Sequence, residues 1–239
     1  MANNDSYDVI SKKAKWKIKD GKISMEVIHR FPNDTVSVNG TLHWDILRLF
    51  FEVKQSILKA TNNGGFDAIS IDTWGVDFGL IGKNGKLVSN PVHYRDKRTE
   101  DIPEKVFEIV PKENLYERTG SQFSRINTLY QLMYLKLNEL DILTLTDKIL
   151  MTPDLLSYML TGEIHEEETI ASTSNLFNPK TRDWDFELIE KLGLPRNIFA
   201  PIIKSGSIYG YLTDELCEEL GCKKVPVIAC PSHDTASAV

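Results

Sequence analysis

Cysteine is scarce in this chain. The 239 residues contain three, Cys217, Cys222 and Cys230, all near the C-terminal end. So few exclude a disulfide scaffold, and without paired short spacings and a fourth ligand they exclude a zinc cage. They read as free thiols, buried or partly buried. An excess of basic charge is also lacking, with 28 Lys and Arg against 34 Asp and Glu and a formal net charge of −6. That excludes a binder that grips any nucleic acid through its phosphates, although a nucleotide ligand needs only a few local donors. No apolar run is long enough to cross a bilayer, and Met1 to Lys13 has no apolar leader region. The expectation is a cytoplasmic protein without nucleic-acid or membrane partners. Glycine is absent before Gly21.

What is present reads as α/β. Apolar and polar residues alternate from Lys13 to Ile18 and from Ile23 to Phe31, and Asp20-Gly21 between them is a hairpin signal. Trp44 to Ala60 carries a helical stripe that ends at Asn62-Asn63-Gly64-Gly65. Short β-rich runs follow at Ala68 to Ile71, Phe78 to Ile81 and Lys86 to Val88. Ile102 to Leu145 is mainly helical, most clearly from Asn127. Pro153 and Gly162 punctuate another helix, Asp185 to Leu192 forms a further one, and Thr213 caps Asp214 to Leu220 before Gly221. Val225 to Ala229 reads as a parallel strand buried on both faces. Glu166-Glu167-Glu168 reads as a solvated face or a helix start. Residues 1–12 form an N-terminal segment without signal, and 13–239 form one domain, a mixed sheet flanked by helices.

Candidate chemistry lies in three stretches. Ser232-His233-Asp234-Thr235 follows the last strand, where α/β sheets collect ligand-contacting groups. Asp234 there could accept a proton from a hydroxyl, with His233 and Thr235 holding neighbouring hydroxyls; the plain alternative is a surface turn. A protease-like triad is excluded, since side chains of adjacent residues point apart. In Ile71-Asp72-Thr73-Trp74-Gly75-Val76-Asp77-Phe78, Trp74 offers an apolar face and Gly75 a close backbone approach; the alternative is a core strand with a glycine bulge. Tyr94-Arg95-Asp96-Lys97-Arg98 is either a solvated loop or a polyhydroxyl-binding cluster.

In order and spacing these stretches, with Asn127-Thr128-Leu129-Tyr130-Gln131-Leu132, Met151-Thr152-Pro153-Asp154 and the terminal Ser232 to Val239, resemble the rhamnulokinase group of the FGGY carbohydrate kinases. Ile28-His29-Arg30-Phe31 and Trp44-Asp45 extend the likeness, which runs from about Asp20 to the last residue. The resemblance implies one half of a two-domain, RNase-H-like kinase of the actin and hexokinase type. It also implies ATP-dependent phosphorylation of the ketose L-rhamnulose at its 1-hydroxyl, with Mg²⁺. By residue, Asp234 matches the proton acceptor, and Gly75, His233, Asp234 and Thr235 match sugar contacts; Trp74 is added from its own chemistry. No metal-ligand set is seen.

The sequence departs from that family in two ways. The opening Asp-x-Gly-x-x-Ser-Gly-Arg-like phosphate loop has no counterpart in Tyr7-Asp8-Val9-Ile10-Ser11-Lys12-Lys13, so the nucleotide-binding residues are unassigned. The second domain that would hold adenine is not in the sequence. The expectation is therefore a domain that keeps sugar recognition but is inactive by itself. A non-catalytic sugar-binding module and a kinase domain for xylulose or glycerol remain as alternatives.

Overall fold

The computed structural model describes the backbone from Ile10 onward and side chains from Asp20 to Val239. β1 (Ile10–Lys19) and β2 (Lys22–Pro32) pair as an antiparallel hairpin. Asp20 and Gly21 close it at φ 52° and 71°, the doubly left-handed turn that follows strand twist. A second hairpin joins β3 (Thr35–Val38) to β4 (Thr41–Trp44) through Asn39 and Gly40, at φ 51° and 86°. α1 (Ile46–Asn62) comes next, with the Asp45 carboxylate accepting the Arg48 N–H at its first turn. Its buried stripe includes Ile46, Leu49, Val53, Ile57 and Ala60.

The next strand-like stretch, residues 69–73, makes parallel bridges at Ile69 with Val227 and at Thr73 with His233. β5 (Phe78–Gly82) is the centre of an antiparallel sheet between β6 (Leu87–Ser89) and β7 (Thr146–Met151). Between β6 and β7 run α2 (Ile102–Ile109), α3 (Lys112–Thr119), α4 (Thr128–Asn138) and α5 (Leu140–Leu145). β7 enters α6 (Thr152–Thr161) directly, with Pro153 in its first turn and Gly162 at φ 77° past its end. Strand alternation separates two cores here: Ile149 and Met151 face the core packed by α4, whereas Leu150 faces the core packed by α1 and α6.

β8 (Glu166–Glu167), α7 (Glu168–Ala171), the hairpin of β9 (Phe177–Asn178) and β10 (Asp183–Trp184), α8 (Phe186–Lys191) and β11 (Ile202–Ile203) come next. β8 and β11 are parallel. β12 (Ile208–Tyr211), α9 (Asp214–Leu220), β13 (Pro226–Ile228) and α10 (Asp234–Ser237) complete the chain.

The architecture is the expected mixed sheet with flanking helices. The last strand differs from its expected pattern: β13 pairs antiparallel with β12 on one side and bridges residue 69 in parallel on the other. Only Val227 of its three residues is buried. The domain boundary placed at residue 13 falls inside β1. Of the segment matched to the phosphate loop, residues 7–9 and the side chains of Lys12 and Lys13 lie outside the described residues.

Candidate functional site

Two stretches far apart in sequence end side by side. The Thr73 N–H donates to Ser232 O at 2.9 Å, and the Asp234 N–H donates to Thr73 O at 2.9 Å. This parallel pairing sets Trp74-Gly75 beside His233-Asp234 at the carboxyl ends of both strands. Neither stretch closes its own backbone hydrogen bonds there, so each requires the other.

The first wall is seated on Asp77, which is fully buried. Its Oδ2 accepts from the Trp44 indole at 2.6 Å, the Trp74 indole at 3.0 Å and the Tyr94 N–H at 3.3 Å; Oδ1 accepts from Gln131 Nε2 at 3.1 Å. Burial pushes this carboxyl up to about 6, against the opposing pull of those donors. Trp74 is half-buried and packs against Trp44 with ring centroids 4.3 Å apart, and His93 stacks on Trp44 at 4.2 Å. Burial and the nearby Arg95 charge lower His93 to about 4, which keeps the stacked ring neutral.

Val76 adopts φ 68°, a conformation that strains a β-branched residue. Side chains hold it there. Its N–H donates to Thr173 Oγ1 at 3.0 Å, and its carbonyl accepts from Thr128 Oγ1 at 2.8 Å and Gln131 Nε2 at 3.2 Å. Gly75 is needed first by packing: a Cβ there would lie 2.8 Å from Thr173 Cγ2. The Asn127 to Leu132 stretch thus supplies the clamps for this wall, with the Asn127 amide donating to Thr173 O at 2.9 Å.

Tyr94 to Arg98 is only partly the solvated loop: Arg95 and Lys97 are exposed, whereas Asp96 is buried and Tyr94 and Arg98 are half-buried. Asp96 is buried and accepts from the Leu42 and Arg98 N–H groups, both at 2.8 Å, while Arg98 donates to Gln131 Oε1 at 3.1 Å. Through Gln131 this loop joins the Asp77 network.

The second wall is residues 232–235. Asp234 opens α10 and is exposed over 56% of its side chain, so its carboxylate is available to a ligand. Its Oδ1 accepts from the Thr235 N–H at 2.6 Å and the Thr235 hydroxyl at 3.2 Å. Contrary to the expectation that neighbouring side chains diverge, His233 Nε2 lies 3.3 Å from Asp234 Oδ1. A protease-like triad is still absent, because Ser232 Oγ donates to Glu167 at 2.8 Å.

The solvated face expected at Glu166-Glu167-Glu168 is overturned. Glu166 and Glu167 are wholly buried. Glu167 does cap α7, so the helix-start half of the reading holds. The missed signal lies just past the three acids, where Thr169, Ser172, Thr173 and Ser174 crowd four hydroxyls into six residues. Behind them Asp154 packs against Glu166, and the Glu166 carboxyl also accepts the Met151 N–H at 3.1 Å. Burial and the adjoining acid raise Asp154 well above its ordinary range; burial raises Glu166 to about 8.

Residues 16–239 match the FGGY family of carbohydrate kinases, N-terminal domain. A rhamnulokinase of Oceanobacillus iheyensis is 42% identical over 224 residues, which cover 93% of this chain and 47% of that protein. A rhamnulokinase of Bacteroides thetaiotaomicron is 40% identical over 221 residues, 92% of this chain and 46% of that protein. In structure, a carbohydrate kinase of Novosphingobium aromaticivorans superposes with a TM-score of 0.80 at 22% identity, over 95% of this chain and 47% of that one. The chain spans about half the length of the curated relatives it matches.

Proposed function

We propose, for a chain that belongs to the FGGY family of carbohydrate kinases and matches its N-terminal domain, that the paired walls orient L-rhamnulose for phosphorylation of its 1-hydroxyl by ATP. The fold is that of the family's structures, of the RNase-H-like, actin and hexokinase type. The observation that carries the reading is the bridge from Thr73 to His233, which sets an aromatic and glycine wall against an exposed carboxylate.

The proposed chemistry follows from the two walls. A sugar ring packs its C–H face on Trp74, whose other neighbour is Trp44, beside the half-buried backbone of Gly75, which itself packs on Thr173. His233 and Thr235 hydrogen-bond neighbouring hydroxyls. Asp234 accepts the proton of the attacking hydroxyl as its oxygen bonds to the γ-phosphorus and ADP leaves. Kinase membership implies ATP, with Mg²⁺ as its usual counter-ion. Among the described residues no three His, Cys, Asp or Glu side chains converge as a metal cage. The roles proposed for this chain are sugar orientation and proton acceptance.

Titration of the chain with L-rhamnulose, followed by tryptophan fluorescence, tests the reading. A saturable change that is lost in Trp74→Phe supports it. A response to xylulose or glycerol and none to L-rhamnulose replaces the sugar, and no response to any of the three overturns the site.

A further inference from the structure

We infer that Glu167 is a positioning residue: its buried carboxylate fixes residues 232–235 in the geometry that presents His233 and Asp234 to the sugar. The inference rests on the reading of the site above and assigns a role to a side chain that itself touches no substrate.

The case is geometric. Glu167 Oε2 accepts the Ser232 N–H at 3.0 Å, the Ser232 hydroxyl at 2.8 Å, the Thr169 N–H at 3.0 Å, the Thr169 hydroxyl at 2.5 Å and the Ile170 N–H at 3.3 Å. Oε1 accepts the Ser205 hydroxyl at 2.6 Å. Thr169 Oγ1 also accepts the His233 N–H at 3.3 Å, so this hydroxyl passes the restraint one residue further. Segments that share no ladder hydrogen bond with residue 232 thus fasten it through one side chain.

Capping of α7 alone explains the Thr169 and Ile170 contacts, but it does not explain the two bonds to Ser232 or the one to Ser205. Among the described residues, the other hydrogen-bonded attachment of the 232–235 stretch to the rest of the chain is the bridge at Thr73, which donates to Ser232 O and accepts from the Asp234 N–H. Its other side faces solvent, since Asp234 is exposed. A loop held on one edge and open on the other takes its position from its anchor. A carboxylate suits the task because every contact is a donor pointing inward, and charge-assisted bonds are the stronger kind.

Glu167→Gln keeps the shape and removes the charge. Its amide oxygen can still face Ser232 and Thr169, while its nitrogen can donate to a rotated Ser205 hydroxyl, so the fold is retained. Amide hydrogen exchange by NMR on the 239-residue chain is the test, with L-rhamnulose affinity measured alongside. Exchange at Ser232, His233 and Asp234 should speed up by about tenfold, the difference between a charged and a neutral acceptor. Leu150 and Met151 in β7 should stay at the wild-type rate, and the His233 imidazole resonances should broaden or move. Sugar affinity should fall by a similar factor.

Thr169→Val removes only the relay hydroxyl and should accelerate His233 alone. Ser205→Ala leaves Oε2 untouched and should change none of these three amides. Uniform acceleration across the chain in Glu167→Gln would reduce Glu167 to a general structural role and overturn the inference, as would unchanged exchange at Ser232 and His233. If the wild-type chain ignores L-rhamnulose while the loop still loosens, the sugar reading falls and the positioning role stands.

Discussion

Asp77 and Glu167 are both closed to solvent, and each gathers donors from separate segments, yet their acidities shift in opposite directions. Asp77 receives four bonds, from two indoles, one amide side chain and one backbone N–H, and burial still pushes it up to about 6. Glu167 receives six, three of them from hydroxyls; burial pulls it upward, but the bonds from Ser205, Thr169 and Ser232 hold it below its ordinary value. Hydroxyls rotate to aim their dipoles, whereas indoles packed in an aromatic stack cannot turn. The rigid wall therefore stands on a carboxyl that burial raises to about 6, and the exposed loop stands on one that its donors hold below the ordinary carboxylate range.

The largest expected effect falls on the loop wall. In a kinase in which this chain is joined to the rest of a relative, Asp234→Asn should lower turnover by roughly 10²–10⁴ and leave the sugar KM nearly unchanged. Steady-state kinetics decide it, and near-normal turnover would remove Asp234 as the proton acceptor.

On the rigid wall, Asp77→Asn turns one acceptor oxygen into a donor among four donors. Urea unfolding should show a loss of about 2–4 kcal/mol, with an altered tryptophan emission. Gly75→Ala should cost less, about 1–3 kcal/mol, as Thr173 moves to admit the methyl group. A neutral result at either position would mean that this wall is looser than its contacts indicate.

The smallest effect is the most specific. Burial raises Asp77, Asp154 and Glu166, so each holds its proton in the folded state over a pH range in which the unfolded chain has released it. Stability should therefore fall as pH rises, from about 4 to 6 for Asp77 and up to about 8 for Glu166, with Asp154 acting in the same direction. Glu167 has the opposite sign: its contribution is present above the ordinary carboxylate range and is lost as pH falls below it. Urea midpoints across this range should flatten from about pH 4 to 6 in Asp77→Asn and from about pH 4.5 to 8 in Glu166→Gln. Equal slopes in wild type and variants would contradict the contrast.

Legibility in the sequence tracks the range of the forces involved. Asp20-Gly21 sets its hairpin, Thr213 caps α9, and Pro153 with Gly162 frames α6, because each is settled within a few residues. Asn39-Gly40 is an equally local hairpin signal, set between the alternating residues of β3 and β4. The pairing of the two walls is legible only as strand ends sharing an edge. The two buried carboxylates are not legible. Glu167 sits in a run of three acids, and its decisive donors, Ser205 and Ser232, lie 38 and 65 residues away. Asp77 draws on Trp44 and Gln131, which lie 33 and 54 residues away. A local reading sees the charge and not the donors that neutralise its cost.

The left-handed backbone at Val76 also bears on the order of folding. Its three restraints come from Thr128, Gln131 and Thr173, which are 52, 55 and 97 residues further along the chain. None of them exists until long loops have closed, so this segment cannot belong to an early nucleus. It is acquired late on the way to the native state and given up early on the way out. Substitutions at Thr173 should accordingly leave the refolding rate nearly unchanged and speed unfolding, so that the turn at Gly75 and Val76 limits the kinetic lifetime of the domain.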